Sequence, residues 1–164
     1  MNLRSNDKIA IGCLYNSSHK TKRWDMFRAL MKDLGKDNYR YYSYGNNKIK
    51  VKGLEHHRKP SHRRLVEIYS KCHIWFAPTE LEGMHTPPAE ANLCGALVYC
   101  NNMPSNGMGD YCNNDTAMIF KDIKDAINLI KKPDFSKVDV MQRLIHEKIG
   151  NRENNMIKMV ERFK

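Results

Sequence analysis

The sequence predicts an α/β fold, a single Rossmann-like doubly wound parallel sheet. The apolar runs Ile9 to Leu14, His73 to Pro78 and Ala96 to Cys100 have the length and composition of buried strands. Between them lie segments whose apolar residues recur at helical spacing, separated by Gly, Asn and Ser. Strands that alternate with helices pair in parallel, because parallel neighbours need a crossover connection. At 164 residues with 41% hydrophobic content, the chain can fill one core and is expected to be a single domain.

The elements follow in order. Lys8 to Tyr15 reads as the first strand and contains Gly12. From Thr21, a possible cap, Trp24, Phe27, Leu30, Met31 and Leu34 trace a helical stripe that Gly35 should stop. Tyr39 to Tyr44 reads as a second strand ending at Gly45, and Lys48 to Val51 as a short third. Ser61 should cap a helix whose apolar face is Leu65, Ile68, Tyr69 and Cys72. After the strand at Ala96 to Cys100 comes a loop of turn formers from Asn101 to Asp110, then a last strand over Ala117 to Phe120 and a helix over Ile123 to Ile130. Apolar spacing over residues 136–164 predicts one or two C-terminal helices, broken near Gly150.

The most informative segment runs from Glu82 to Glu90: Glu-Gly-Met-His-Thr-Pro-Pro-Ala-Glu. Thr86 can cap a helix, Pro87 suits a first helical position, and Gly95 stops the helix beyond Cys94. The amides at such a start and the positive end of the helix dipole can hold phosphate or sugar oxygens. Glu90, a turn further in, can accept hydrogen bonds from vicinal hydroxyls, with Glu82 across the same cleft. Any single Glu at a helix start is more often only a partner of the dipole.

Strand, Glu-Gly loop, short helix, Gly and strand together resemble the donor-binding segment of retaining GT-B glycosyltransferases, family 4 in particular. The resemblance covers roughly residues 8–130 and rests on Glu82, Glu90, Ala91, Cys94 and Gly95, which match a Glu-x7-Glu motif followed by Ala and Cys-Gly. It implies a donor-binding C-terminal half only, forming one nucleotide-sugar-binding domain over residues 1–164. It further implies that Glu82 contacts the donor sugar, that the amides of Gly83 and Met84 and the start at Thr86 hold sugar hydroxyls and phosphate, and that Glu90 binds the ribose. Met84-His85 stands where the family usually has Phe-Gly, so His85 adds a side chain beside the sugar and is grouped with Glu82 as catalytic. Gly12 is grouped with the donor-binding residues. Among Lys20, Lys22 and Arg23 the resemblance implies cations for the donor diphosphate, without the family's spacing, so the assignment among the three stays open.

Charge is uneven. Residues 1–72 hold 17 Lys and Arg against 6 Asp and Glu, a net of +11; the remainder holds 11 against 12, a net of −1, which sums to the total of +10. Such asymmetry suggests a polyanionic partner, although solvated helix faces explain part of it. Arg58, Lys59, Arg63 and Arg64 lie in the densest basic stretch and are candidates for nucleic-acid phosphates. The neighbouring histidines lack a Cys or carboxylate at metal-ligand spacing, so no metal is expected. Five cysteines without a Cys-x-x-Cys pair point to reduced thiols, and no apolar run approaches membrane-spanning length. A cytoplasmic location is the expectation, the host cytoplasm if the chain is viral.

The functional expectation is a hexosyl- or pentosyltransferase, retaining by resemblance, that moves a sugar from a nucleotide-diphosphate sugar, UDP-sugar foremost, to an acceptor hydroxyl without a cofactor. Hydroxymethylated bases of phage DNA are the acceptor that the basic first half suggests. A glycan or small-molecule acceptor is one alternative; a non-catalytic donor-binding subunit that needs a partner chain is a second, and a nucleic-acid-binding module on a degenerate fold is a third. A lone domain of this kind could work if the acceptor is large and brings its own rigidity, or if a second copy in a homodimer or a partner subunit completes the cleft.

Overall fold

The computed structural model describes residues 7–15, 20–81, 86–102, 109 and 111–147. These contain a six-stranded, wholly parallel sheet in the order β3-β2-β1-β4-β5-β6. The strands are β1 (Ile9–Tyr15), β2 (Tyr39–Gly45), β3 (Leu54–Arg58), β4 (Ile74–Ala77), β5 (Leu97–Asn101) and β6 (Met118–Phe120), and the helices are α1 (Trp24–Leu34), α2 (His62–Lys71), α3 (Thr86–Leu93) and α4 (Ile123–Ile130). Residues 137–147 are also helical. This is the α/β doubly wound sheet that the alternation of elements predicts.

Period-two alternation in the strands builds two cores. Ile11, Tyr41, Phe76 and Tyr99 pack with Phe27 and Leu30 of α1 and Ile127 and Ile130 of α4 on one face. Ala10, Tyr42, Trp75 and Val98 pack with Ile68 and Tyr69 of α2, Ala91 of α3 and Met141 and Ile145 on the other. Adjacent residues thus serve opposite layers, as they must when both faces of a parallel sheet are covered.

Helix ends follow the sequence in part. Ser61 caps α2, its Oγ accepting from the Arg64 amide at 3.3 Å. α3 ends in a Schellman arrangement: the Ala96 amide donates to the Ala91 carbonyl at 2.9 Å, and the Gly95 amide to Asn92 at 2.7 Å. Gly35 stops α1, its amide bonded to the Met31 carbonyl.

Three expectations are corrected. Thr21 does not cap α1, because a short 3-10 turn over Lys20–Lys22 intervenes and Arg23 takes the cap position. The third strand is Leu54–Arg58, not residues 48–51; the histidines that make this stretch look polar turn half-buried faces to the sheet edge, where His56 bonds Ser43 Oγ at 2.7 Å and the Asn47 carbonyl at 2.9 Å. Thr86 is already helical, so α3 begins at the residue expected to precede it.

Candidate functional site

The strand order reverses between β1 and β4. Connections leave these neighbours toward opposite edges, which opens a crevice outside the carboxyl ends of the central strands, where open α/β sheets bind ligands. A cavity of about 360 Å³ lies at this edge. Its walls are the ends of β1 (Leu14, Tyr15) and β2 (Tyr44, Gly45), Lys22, the turn after β3 (Lys59, Pro60) and Pro87 in the first turn of α3.

Gly45 is dictated here by a close approach. A Cβ at this position would come 2.0 Å from the Tyr15 carbonyl oxygen, so only glycine lets β1 and β2 end side by side under the cavity. Two left-handed residues hold the flanking loops: Arg23 at φ 49° and Lys59 at φ 44°, the non-glycine residues with positive φ among those described. Such conformations persist where surrounding structure over-determines them, and they cluster at functional sites. The Lys59 amide is fixed by the Gly45 carbonyl at 2.8 Å, which sets the turn that brings this side chain to the cavity.

Two lysines from separate loops therefore converge. Burial pulls the Lys22 ammonium below the ordinary lysine range, with the Cys13 thiol opposing that shift. Arg23 has another job: its guanidinium pairs with Asp25 at 3.0 Å and with Glu80, whose amide in turn donates to the Thr21 carbonyl at 2.8 Å. It clamps the first loop to the segment after β4. Of the three basic residues that sequence reading left open, the structure brings Lys22 to the cavity, engages Arg23 with acids, and leaves Lys20 exposed on the 3-10 turn.

Glu90 connects to the cavity through two phenols. Tyr69 donates its hydroxyl proton to Glu90 Oε2 at 2.8 Å, and Tyr44 lies 2.6 Å from the Tyr69 oxygen. A phenol has one proton, so Tyr44 must be the donor to Tyr69, and its lone pairs are what the cavity wall offers to a ligand. Burial raises both phenols above their ordinary range, which keeps the chain protonated. Trp75 stacks on Tyr44 and meets Tyr69 edge-on, centroids 5.9 and 4.9 Å apart. Sequence reading placed Tyr69 only on an apolar helix face and gave Tyr44 no role. The strand-end position of Tyr44, just before Gly45, was the available signal.

Gly12 belongs to this packing. A Cβ there would stand 2.5 Å from the Trp75 ring and 2.6 Å from the Cys72 sulfur, so the lack of a side chain in mid-strand is what admits the indole. Glu82, Gly83, Met84 and His85 lie outside the described residues, so the meeting of Glu82 with Glu90 does too. Thr86 is described, at the exposed start of α3.

The basic stretch after β3 divides among several jobs. Lys59 joins the cavity; Arg58 Nε donates to the Asn46 carbonyl at 3.1 Å; Arg64 pairs with Glu67 at 2.5 Å and approaches Glu55 at 3.7 Å. Arg63, 93% exposed, makes one long contact to Glu67. Glu55 and Glu67 thus offset part of what the sequence shows as a cationic run, chiefly at Arg64. Among the described residues no group of three or more His, Cys, Asp or Glu could hold a metal, and no helix is long and apolar enough to cross a membrane.

Solved structures similar in fold to this chain include glycosyltransferases. The chain is similar to sucrose-phosphate synthase from Thermosynechococcus elongatus, with a TM-score of 0.71 and 13% identity over 96% of this chain and 47% of that one. It is similar to OtsA, a trehalose-6-phosphate synthase, at 0.71 and 10% identity over 94% and 44%, and to the pneumococcal O-GlcNAc transferase GtfA solved with UDP and GlcNAc, at 0.69 and 10% over 94% and 36%. At these identities the likeness concerns the fold, one Rossmann-like half of a GT-B glycosyltransferase. The chain spans less than half the length of these neighbours. No family model and no curated protein matches the sequence.

Proposed function

We propose that this chain binds a nucleoside diphosphate sugar, UDP-sugar foremost, at the carboxyl edge of its sheet and takes part in transfer of the sugar to an acceptor hydroxyl. The observation that carries the reading is the convergence of Lys22 and Lys59, from two loops, on a cavity whose wall is tied through Tyr44 and Tyr69 to Glu90. Two cations suit a diphosphate, and a carboxylate held by a neutral phenol suits a ribose diol. The fold neighbours lend support, because enzymes that use sugar donors share this sheet.

In this proposal Lys22 and Lys59 neutralise the departing diphosphate, and the loop Glu82-Gly83-Met84-His85 with Thr86 surrounds the sugar, Glu82 and His85 nearest the reacting carbon. Retention follows if the acceptor oxygen bonds to the anomeric carbon on the face that the phosphate leaves. The leaving phosphate oxygen then takes the acceptor's proton, so the enzyme mainly orients and stabilises charge. The other half of such a cleft, which these neighbours carry in the same chain, would come from a partner chain or from a large acceptor.

The test is to incubate the chain with a panel of nucleotide sugars and with sugar, glycan and plain or hydroxymethylated DNA acceptors, and to weigh the products. UDP affinity is measured in parallel by calorimetry. Expected are micromolar to millimolar UDP binding, weakened in Glu90→Ala, and transfer impaired more than binding in Glu82→Ala. UDP affinity equal in wild type, Lys22→Ala and Glu90→Ala would remove the donor-site assignment, whereas binding without transfer would favour a subunit that needs its partner.

A further inference from the structure

A second, larger cavity of about 770 Å³ lies alongside α1, from its first turn to the amino edge of the sheet, between that helix and the connection entering β3. Its origin is topological. The β1-to-β2 and β2-to-β3 connections step in the same direction along the sheet, so right-handed crossovers put both on one face. The first contains the 11-residue helix α1; the second is residues 46–53, which hold no helix. Among the described residues the face over β2 and β3 is therefore open beside α1, where a crossover helix ordinarily packs.

What lines this opening is patterned. Ala29, Tyr41 and Val51 contribute an apolar floor, with the Tyr41 hydroxyl bonded to the Gly35 carbonyl. Arg28, Lys32 and Lys36, four residues apart along α1 and just past its end, form a cationic rim that Lys52 closes from the other side. All four are exposed, and the acid at the rim, Asp25, is engaged by Arg23.

We propose that this groove docks an acidic amphipathic helix of a partner protein, lying where the second crossover lacks one. Cations spaced four residues apart repeat about every 6 Å along α1, and carboxylates at i and i+4 on a second helix repeat at the same interval. Apolar anchors of that helix at i, i+3 and i+7 would fill the floor. A second copy of this chain is a poor occupant, since its net charge is +10. Nucleic acid would use the rim and have no use for the floor. The groove shares no lining residue with the carboxyl-edge cavity, so the partner and a nucleotide can be held together.

The test uses the whole chain with two labelled peptides of identical acidic composition, one designed as an amphipathic helix and one scrambled, read by fluorescence anisotropy. The amphipathic peptide should bind about 10-fold tighter than the scrambled one, and Arg28→Glu with Lys32→Glu should weaken it by about 10-fold or more while Lys124→Glu on α4 leaves it unchanged. Val51→Asp should weaken it through the floor. UDP affinity and thermal melting of each variant show that the donor end and the fold are intact; if the α1 variant melts early, Lys52→Glu on the loop replaces it. Equal binding of both peptides, competition by duplex DNA that the α1 variant abolishes to the same extent, or no peptide binding would each overturn the proposal.

Discussion

The two ends of this sheet differ in the opposite sense from their sizes. The amino-edge groove is the larger, and it is walled by one helix face and one loop; the smaller carboxyl-edge cavity draws on five separate segments and is backed by a bonded chain of Tyr44, Tyr69 and Glu90. Volume alone would choose the amino edge. Converging elements and left-handed loop residues distinguish the carboxyl edge, where the donor site is proposed, from the other side, where a ladder of exposed cations lies over an apolar floor.

That contrast can be broken in graded steps. The largest effect is expected from Lys22→Glu, which sets an anion against the diphosphate and should weaken UDP by roughly 100-fold, about 3 kcal/mol, without changing peptide binding at the groove. Next, Gly12→Ala forces a methyl into the Trp75 ring, and the ring supports Tyr44 and Tyr69. A loss of about 1–3 kcal/mol in denaturant unfolding is expected, with UDP affinity falling alongside. Unaltered stability would show that the indole has room to move. Tyr69→Phe removes the link to Glu90 and should cost about 1 kcal/mol in stability, with a few-fold loss in UDP affinity. If only stability changes, the chain of phenols is scaffolding.

The smallest effect concerns pH and touches the β2–β3 connection. Burial lowers the His56 pKa below its ordinary value, so the fold favours the neutral ring that bonds Ser43 and Asn47. A depressed folded pKa means that this contribution is intact above the unfolded value of about 6.5 and is lost as pH falls through the lower folded value. Stability should decline on acidification over that window, and His56→Gln should flatten the decline; an unchanged pH profile in this variant would dismiss the ring as the cause.

The legibility of the sequence differed by element type. Strands β1, β4 and β5 are continuous apolar runs, because both faces of a central parallel strand are covered, and they stood out. The edge strand β3 did not: Leu54-Glu-His-His-Arg carries polar side chains because an edge strand is only half covered, and the more apolar Lys48 to Val51 drew the assignment instead. Ser61, Gly35 and Gly95 acted as local signals because a cap or stop involves only a few neighbouring residues. Lys59 read as part of a basic run, since no local pattern shows that its turn is hooked to Gly45 and directed to a cavity.

By itself the sequence determined the α/β class, the parallel pairing and the carboxyl-edge loops as the place to look, because hydrophobic period and turn chemistry are local and survive in one dimension. Only the tertiary structure decided which cations serve the cavity and which are neutralised, joined Tyr44 to Tyr69 and Glu90, and opened the groove beside α1. Those outcomes depend on residues tens of positions apart arriving within hydrogen-bond distance, and on a crossover helix whose absence has no consequence until strands are laid side by side.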